Sequence, residues 1–250
     1  MIEIMPLKGI DEVAVGDDLA AVIGDALEQS GWKAQPDEIL VVTQKIVSKS
    51  EDRFVDLADV VPGSEAKRIA AITGKDPRLV ELVCRESSEI VRAAPHVLIT
   101  RHRCGFVMAN AGIDRSNLGN GNGDRVLLLP LDADASAERL RLGLAARFGD
   151  APAIVISDSF GRPWRHGVVC VAIGASGFPS LVDKRGDRDR DGRILEVTQV
   201  ALGDMVATAA GLVTGEGAEG VPAALVRGLS WQGSSPASTL IRPPEEDLFR

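Results

Sequence analysis

Residues 39–45 read ILVVTQK, four apolar side chains in a row followed at once by three polar ones. An unbroken apolar run of that length suits a strand covered on both faces. It puts Thr43, Gln44 and Lys45 at the strand's carboxyl end, where α/β proteins commonly face a ligand. Working outward, residues 17–30 carry Leu19, Val22, Ile23, Ala26 and Leu27 on one helical face, and Gly31 suits the stop that follows. Asp76-Pro77 has the form of an N-cap with proline at the first helical position, leading Leu79, Val80, Leu82 and Val83 inward. Further strands are expected near 97–100, 106–109, 126–129, 153–157 and 223–229. Further helices are expected over 136–148, closed by Gly149, and over 197–213. Strands and helices mix throughout without a repeat of solenoid period, so the expected class is α/β (α+β): mixed sheets with flanking helices, in one domain over 1–229. From Ser230 the chain turns rich in Ser, Pro, Gly and charge and ends in RPPEEDLFR, which predicts an exposed tail or linker over 230–250.

With 45% hydrophobic residues, a chain of 250 can bury a sizeable core. Its formal net charge of -8 argues against broad electrostatic capture of nucleic acid or an anionic membrane, so an anionic ligand has to be held by a few local cations. The N-terminus lacks a basic start, an apolar run and a cleavage site, and no stretch approaches the ~20 apolar residues of a membrane span, which makes a cytoplasmic protein the expectation. Cys84, Cys104 and Cys170 are odd in number, widely spaced and without a CxxC pair; they read as packing residues.

Four polar constellations remain once the core elements are assigned. ANAGIDRSNLGNGNGD, residues 109–124, lies between two apolar strands, and its Asp114 and Asn117 offer a carboxylate and an amide suited to a hard cation and to a phosphate or base edge. A plain turn using Asx chemistry fits the same residues. ISDSFGRPWRHG, residues 156–167, delivers Asp158 and Ser159 from an apolar strand into a loop bearing Arg162, Arg165 and His166. An acid, a hydroxyl and two guanidinium groups match a metal plus an anionic substrate, although a solvated turn anchored by Trp164 also fits, and His166 shows no partner that would make it a general base. DKRGDRDRDGR, residues 183–193, imitates a calcium loop through Asp187, Asp189, Asp191 and Gly192, but Thr198 replaces the twelfth-position Glu and arginines fill the gaps; a mobile charged loop is the reading. GEGAEG, residues 215–220, is formally GxGxxG, yet it follows a helix where a dinucleotide fingerprint must follow a strand, so the fold is non-Rossmann. Its backbone N–H groups can still cradle phosphates and Glu216 can ligate a metal. No GxxxxGK[ST] occurs, so any nucleoside triphosphate is held without a Walker loop.

In order, PLKGIDEVAVGDDLA, ILVVTQKIVSKSEDR, GKDPRLVELVCRES, ANAGIDRSN, VISDSFGRPWRHGVVCVAIG and VRGL resemble the coenzyme F420-0:L-glutamate ligase (F420 gamma-glutamyl ligase) family over residues 1–229, with ANAGxDRSN followed by ISDSFGRPW the most specific part. The resemblance implies a GTP-dependent enzyme that adds L-glutamate to the deazaflavin coenzyme F420-0 through an acyl phosphate, with further gamma-linked glutamates, using two divalent cations, Mg2+ or Mn2+, and K+ as a further ion. It implies GTP contacts at Ile10, Asp11, Glu12, Val13, Gln44, Lys49 and Asn117, and metal ligation by Asp114, Asp158, Ser159 and Glu216, with Asp114 and Asp158 catalytic. It also implies an intertwined two-fold homodimer. The segment after 229 is similar to the junction that leads, in two-domain actinobacterial members, into a nitroreductase-like domain, so a stand-alone enzyme and a ligase half both fit. The chain departs from the family's ADELA at GDMVA, where Met205 replaces a carboxylate. Two other readings use the same acids: a metal-dependent phosphohydrolase, which needs no acceptor amine, and a non-catalytic GTP-binding module.

Overall fold

The structure is a computed structural model that describes residues 1–35, 37–119 and 124–247; Pro36, the 120–123 part of the 109–124 constellation and the last three residues of the 230–250 segment lie outside the described residues. Along the chain, β1 (Glu3–Leu7) is followed by α1 (Leu19–Gln29), β2 (Ile39–Thr43), α2 (Gln44–Ser50), β3 (Phe54–Asp56), α3 (Ser64–Thr73), α4 (Pro77–Glu86), β4 (Ser87–Ala94), β5 (Val97–His102) and β6 (Val107–Ala109). Then come β7 (Arg125–Leu127), α5 (Ala133–Phe148), β8 (Ala153–Arg162), β9 (Arg165–Ser176), β10 (Leu181–Asp183), β11 (Gln199–Ala201), α6 (Leu202–Thr214) and β12 (Ala223–Arg227). The principal sheet has the order β1-β12-β2-β8-β9. Only β2 and β8 run parallel; the other neighbours are antiparallel. This is the mixed α/β class expected.

The central strands explain their own composition. Leu40 and Val42 of β2, with Ile154 and Ile156 of β8, face Leu27 of α1 and Leu144 of α5. Their neighbours Ile39, Val41, Ala153 and Val155 face Val206, Ala207 and Ala210 of α6. Alternate side chains point to opposite faces of a strand, so a strand packed on both sides has no polar face to show. Each fully buried Val, Leu or Ile contributes about 1.5–3 kcal/mol. A third core gathers Ile69, Val80, Val83, Leu98 and Val126, joining α3 and α4 to the β4-β5-β6 sheet and to β7.

Helix boundaries follow local chemistry. Asp18 caps α1 by accepting from Ala20 N–H at 2.9 Å, Asp76 caps α4 from Arg78 N–H at 2.8 Å with Pro77 at the first position, and Asp132 caps α5 from Ala135 N–H at 2.9 Å. Gly149 ends α5 with φ of 80°, a conformation glycine adopts without strain.

Elsewhere the structure corrects the sequence reading. The sequence reading leaves out α2, which Gln44 starts directly after β2. The loop expected after Ser159 is shorter than its composition suggests: β8 continues to Arg162 because Ser157 to Gly161 find ladder partners in Ala172 to Val168, and only residues 163 and 164 form the turn. The helix expected from 197 begins at Leu202, because Gln199, Val200 and Ala201 pair with β10. Residues 230–247 do not run free. Trp231 Nε1 donates to Gly177 O at 3.2 Å and its ring meets Phe178 edge-on, Ala237 is wholly buried, and Asp247 pairs with Arg101 at 3.3 Å. Among the described residues no helix is long and apolar enough to cross a membrane.

Candidate functional site

The parallel pair β2 and β8 runs in register with Thr43 beside Ser157, and beyond that point the chain opens a cleft of about 800 Å3. Residues 10–13, 108–117 and 214–222 build its other walls. Into this one cleft the structure brings Ile10, Asp11, Glu12, Val13, Gln44, Lys49, Asp114, Asn117, Asp158, Ser159 and Glu216.

Asp114 is set by an unusual turn. Asn110, Ala111 and Gly112 take φ of 52°, 52° and 69°, three successive left-handed residues of which only the glycine is unstrained. The Asp114 backbone then pairs with Leu127 in both directions at 2.9 Å. Its carboxylate accepts from Ser116 N–H at 2.8 Å and Ser116 Oγ at 2.9 Å and forms an ion pair with Lys45. Loss of water would push the Asp114 carboxyl up, but Lys45 and Ser116 outweigh it and hold the group below the usual carboxylate range. Lys45 Nζ also donates to Ser116 O at 2.8 Å.

One turn along α2, Lys49 is buried and ion-paired with Glu12, as an ammonium removed from water requires. Gln44, also buried, donates to Ser48 Oγ at 2.7 Å.

Asp158 is in the opposite electrostatic situation. The protein packed around it pushes its carboxyl up to about 7; the Ser159 N–H bond opposes this, Asp114 and Glu216 add to it, and Lys45 offsets part. Ser159 follows on the strand and therefore points to the other face. Its Oγ lies 2.7 and 2.6 Å from the two Glu216 carboxylate oxygens. Glu216 is positioned by the end of α6, where Gly215 has φ of 70° and a Cβ would collide with Glu219. Asn117 Nδ2 donates to Gly217 O at 3.1 Å and ties the two loops together. Cys170 borders Glu216, and burial together with that carboxylate pushes its thiol up to about 11, so it is a packing residue and not a nucleophile.

Among the described residues no three of His, Cys, Asp or Glu meet at one point as a ready metal cluster. The acids instead form two stations, Asp114 with Asp158 and Ser159 with Glu216. The donors are all oxygen, and Asp158 stands among like charges that a cation would relieve; this chemistry fits hard divalent cations.

The family described as F420-0:Gamma-glutamyl ligase matches residues 9–228. The chain belongs to that family. It is similar to the coenzyme F420:L-glutamate ligases of Methanopyrus kandleri, 45% identical over 254 residues covering 100% of this chain and 97% of the relative, and of Methanothermobacter thermautotrophicus, 42% identical over 252 residues covering 100% and 99%. That of Archaeoglobus fulgidus is 39% identical over 249 residues, covering 100% and 96%. The family match spans every wall of the cleft.

Some polar groups of this family member stay outside the cleft. Its lining stops at Gly161 and Val168, leaving Arg162, Arg165 and His166 further out on the β8–β9 hairpin, with Arg162 Nη2 3.5 Å from His166 O. Asp187, Asp189 and Asp191 are exposed on the turn before β11, and Asp189 accepts from the Asp191 and Arg193 N–H groups. Met205 is exposed on α6 outside the cleft, so the departure from ADELA leaves the cleft's lining unchanged. Lys45 and Ser116 are in the cleft although neither is among the residues assigned a ligand contact from the sequence. For Lys45 the signal was its place beside Gln44 at the end of an apolar strand.

Proposed function

We propose that this chain is a GTP-dependent ligase that joins L-glutamate to coenzyme F420-0 through an acyl phosphate. The observation that carries the reading is the convergence of Asp114, Asp158, Ser159 and Glu216 with Lys45 and Lys49 in one cleft of a chain in this family. A carboxylate is a poor acyl donor, so amide formation in water needs activation. An oxygen of the F420-0 carboxylate attacks the γ-phosphorus of GTP and the bond to the GDP oxygen breaks. The glutamate amine then attacks the acyl carbon, inorganic phosphate leaves with the electron pair, and the amine gives up its proton.

Asp114, Asp158, Ser159 and Glu216 would hold two divalent cations, Mg2+ or Mn2+, whose charge neutralises the phosphates during transfer. Lys45 and Lys49 supply the local positive charge that a chain of net charge -8 cannot offer as a whole. Gln44, Asn117 and the backbone of 10–13 offer donors and acceptors to guanine. In this reading a homodimer covers the β4-β5-β6 sheet, which leaves Val91, Val97 and Val107 exposed.

The test is mass spectrometry of the deazaflavin after incubation with GTP, L-glutamate and Mg2+ or Mn2+. The expected product is heavier by one or more glutamyl residues, with GDP and phosphate released. Phosphate release that ignores glutamate points to the phosphohydrolase, and nucleotide binding without turnover to the binding module.

A further inference from the structure

We propose that Lys45 and a divalent cation compete for one carboxylate, Asp114, so that metal loading frees the Lys45 ammonium for an anionic nucleotide and the two ligands bind with positive coupling. The inference rests on the metal and nucleotide reading above. An ammonium has three donors, and all three of Lys45's are directed at one loop: Asp114 Oδ2, Ser116 O at 2.8 Å and Ser116 Oγ at 3.4 Å. Asp114 is equally committed, with Oδ1 accepting from Ser116 N–H and Oγ and Oδ2 taken by Lys45. A cation that takes Oδ2 of Asp114 meets the Lys45 ammonium there, and the repulsion between the two positive charges favours the departure of Lys45.

The displaced ammonium cannot simply stay. Its side chain is 23% exposed and that of Asp114 26%, so both are partly stripped of water, and a cation beside it would repel it. Phosphate oxygens in the same cleft are the acceptors that suit it, and the α2 backbone already aims the side chain there. The Asp158 carboxylate accepts only from Ser159 N–H among the described residues, so Lys45 acts on it through charge and not through a bond. The exchange is thus specific to the Asp114 carboxylate, and by linkage each ligand strengthens the other by the same factor.

The test measures Mn2+ binding by the electron paramagnetic resonance of free Mn2+, and binding of a β,γ-imido GTP analogue by calorimetry. Each ligand is titrated alone and with the other present, on wild type, Lys45→Met and Lys45→Arg, after thermal melts confirm folding. Lys45→Met is expected to bind Mn2+ alone about tenfold more tightly than wild type, and to bind the analogue as wild type does when metal is absent. With Mn2+ present, the wild type should bind the analogue about tenfold more tightly than Lys45→Met, and Lys45→Arg should retain that coupling. A Lys45 that acted on phosphate alone would weaken analogue binding equally with and without metal. That result, or unchanged Mn2+ affinity in Lys45→Met, overturns the exchange while leaving the ligase reading intact. Wild type that binds no Mn2+ under either condition overturns the metal reading and the exchange together.

Discussion

Glu86 closes α4 and is 7% exposed, yet its carboxylate is shared by three cationic side chains: Arg103 at 2.8 Å, Arg53 at 3.2 Å and His102 Nε2 at 3.7 Å. Arg53 also donates from Nε to Leu129 O at 2.8 Å, so one carboxylate links the end of α4, the turn after β5 and the segment leaving α2. Glu86→Gln keeps the volume but replaces an acceptor oxygen by an amino group that faces other donors, and it leaves the Arg53 charge uncompensated. Breaking a buried pair in this way costs about 3–5 kcal/mol. Arg103 is 48% exposed and its share is screened, which brings the expected loss to about 3 kcal/mol. For a chain of this length each kcal/mol moves Tm by about 2–4 °C, so the variant should melt about 6–12 °C lower. The pH dependence has a definite sign. Burial pushes the Glu86 carboxyl up, but His102, Arg103 and Arg53 outweigh it and hold the group low, so its contribution is present above the unfolded carboxylate pKa and lost as pH falls through the folded one. Burial lowers His102, but Cys104 and the Glu86 carboxylate beside it raise it overall, so its contribution is full below 6.5 and fades as pH rises through the folded value. The difference in Tm between wild type and Glu86→Gln, followed by circular dichroism, should therefore peak near about pH 5–6 and narrow on both sides, more on the acid side because the arginines stay charged. A drop under about 2 °C, or a gap that widens into acid, would refute the reasoning.

Asp114→Asn and Asp158→Asn should each lower kcat/KM about a thousandfold or more with the fold intact, because each removes a carboxylate from a cation station; near-normal turnover that still needs metal would sink that assignment. Lys49→Ala should raise KM about tenfold for GTP and for ATP alike, leaving their ratio unchanged, since an ammonium reads charge and not base; steady-state kinetics in which wild type uses both nucleotides equally, or in which the variant matches wild type, would count against it. Light scattering at micromolar concentration should give twice the 26.4 kDa chain mass, and a monomer would contradict the dimer.

The parts of the fold legible in the sequence are those fixed by local or periodic causes. β2 and β8 show as unbroken apolar runs because helices cover both their faces, and Asp76-Pro77 and Gly149 mark helix ends through chemistry contained in a residue or two. What escaped depends on distant partners. β8 reaches Arg162 only because β9 returns beside it, and the segment after Ser230 is held by groups as remote as Asp134, which accepts from the Ala237 and Ser238 N–H groups. Its Ser- and Pro-rich composition is that of a tail, and composition does not record where a backbone N–H finds its acceptor. The same limit applies in the cleft. Motifs named Asp114, Asp158 and Lys49, but the pairing of Lys45 with Asp114 spans 69 positions and has no local signature.

Left-handed backbone at Asn117 lines the cleft and that at Asn110 and Ala111 lies just before Asp114, while several charges of the cleft are held in close pairs, which bears on how it can bind anything. Asn110, Ala111 and Asn117 hold left-handed backbone at about 1–2 kcal/mol each, and Lys49 and Asp158 sit where water is scarce. The apolar sheet behind them can sustain these costs because its strands are fixed from both faces, so the loops have little freedom to relax. A relaxed cleft would let Lys45, Lys49, Asp114 and Glu216 turn out to solvent. A rigid one keeps each beside the partner it has now, Lys45 with Asp114, Lys49 with Glu12 and Ser159 with Glu216. A ligand that reaches Asp114, Lys49 or Glu216 has to replace the partner each of them has now. A cation can take the place of Lys45 beside Asp114, and a phosphate that of Glu12 beside Lys49. In the reading proposed above, a metal–triphosphate carries both signs at once and can remake both of these ion pairs.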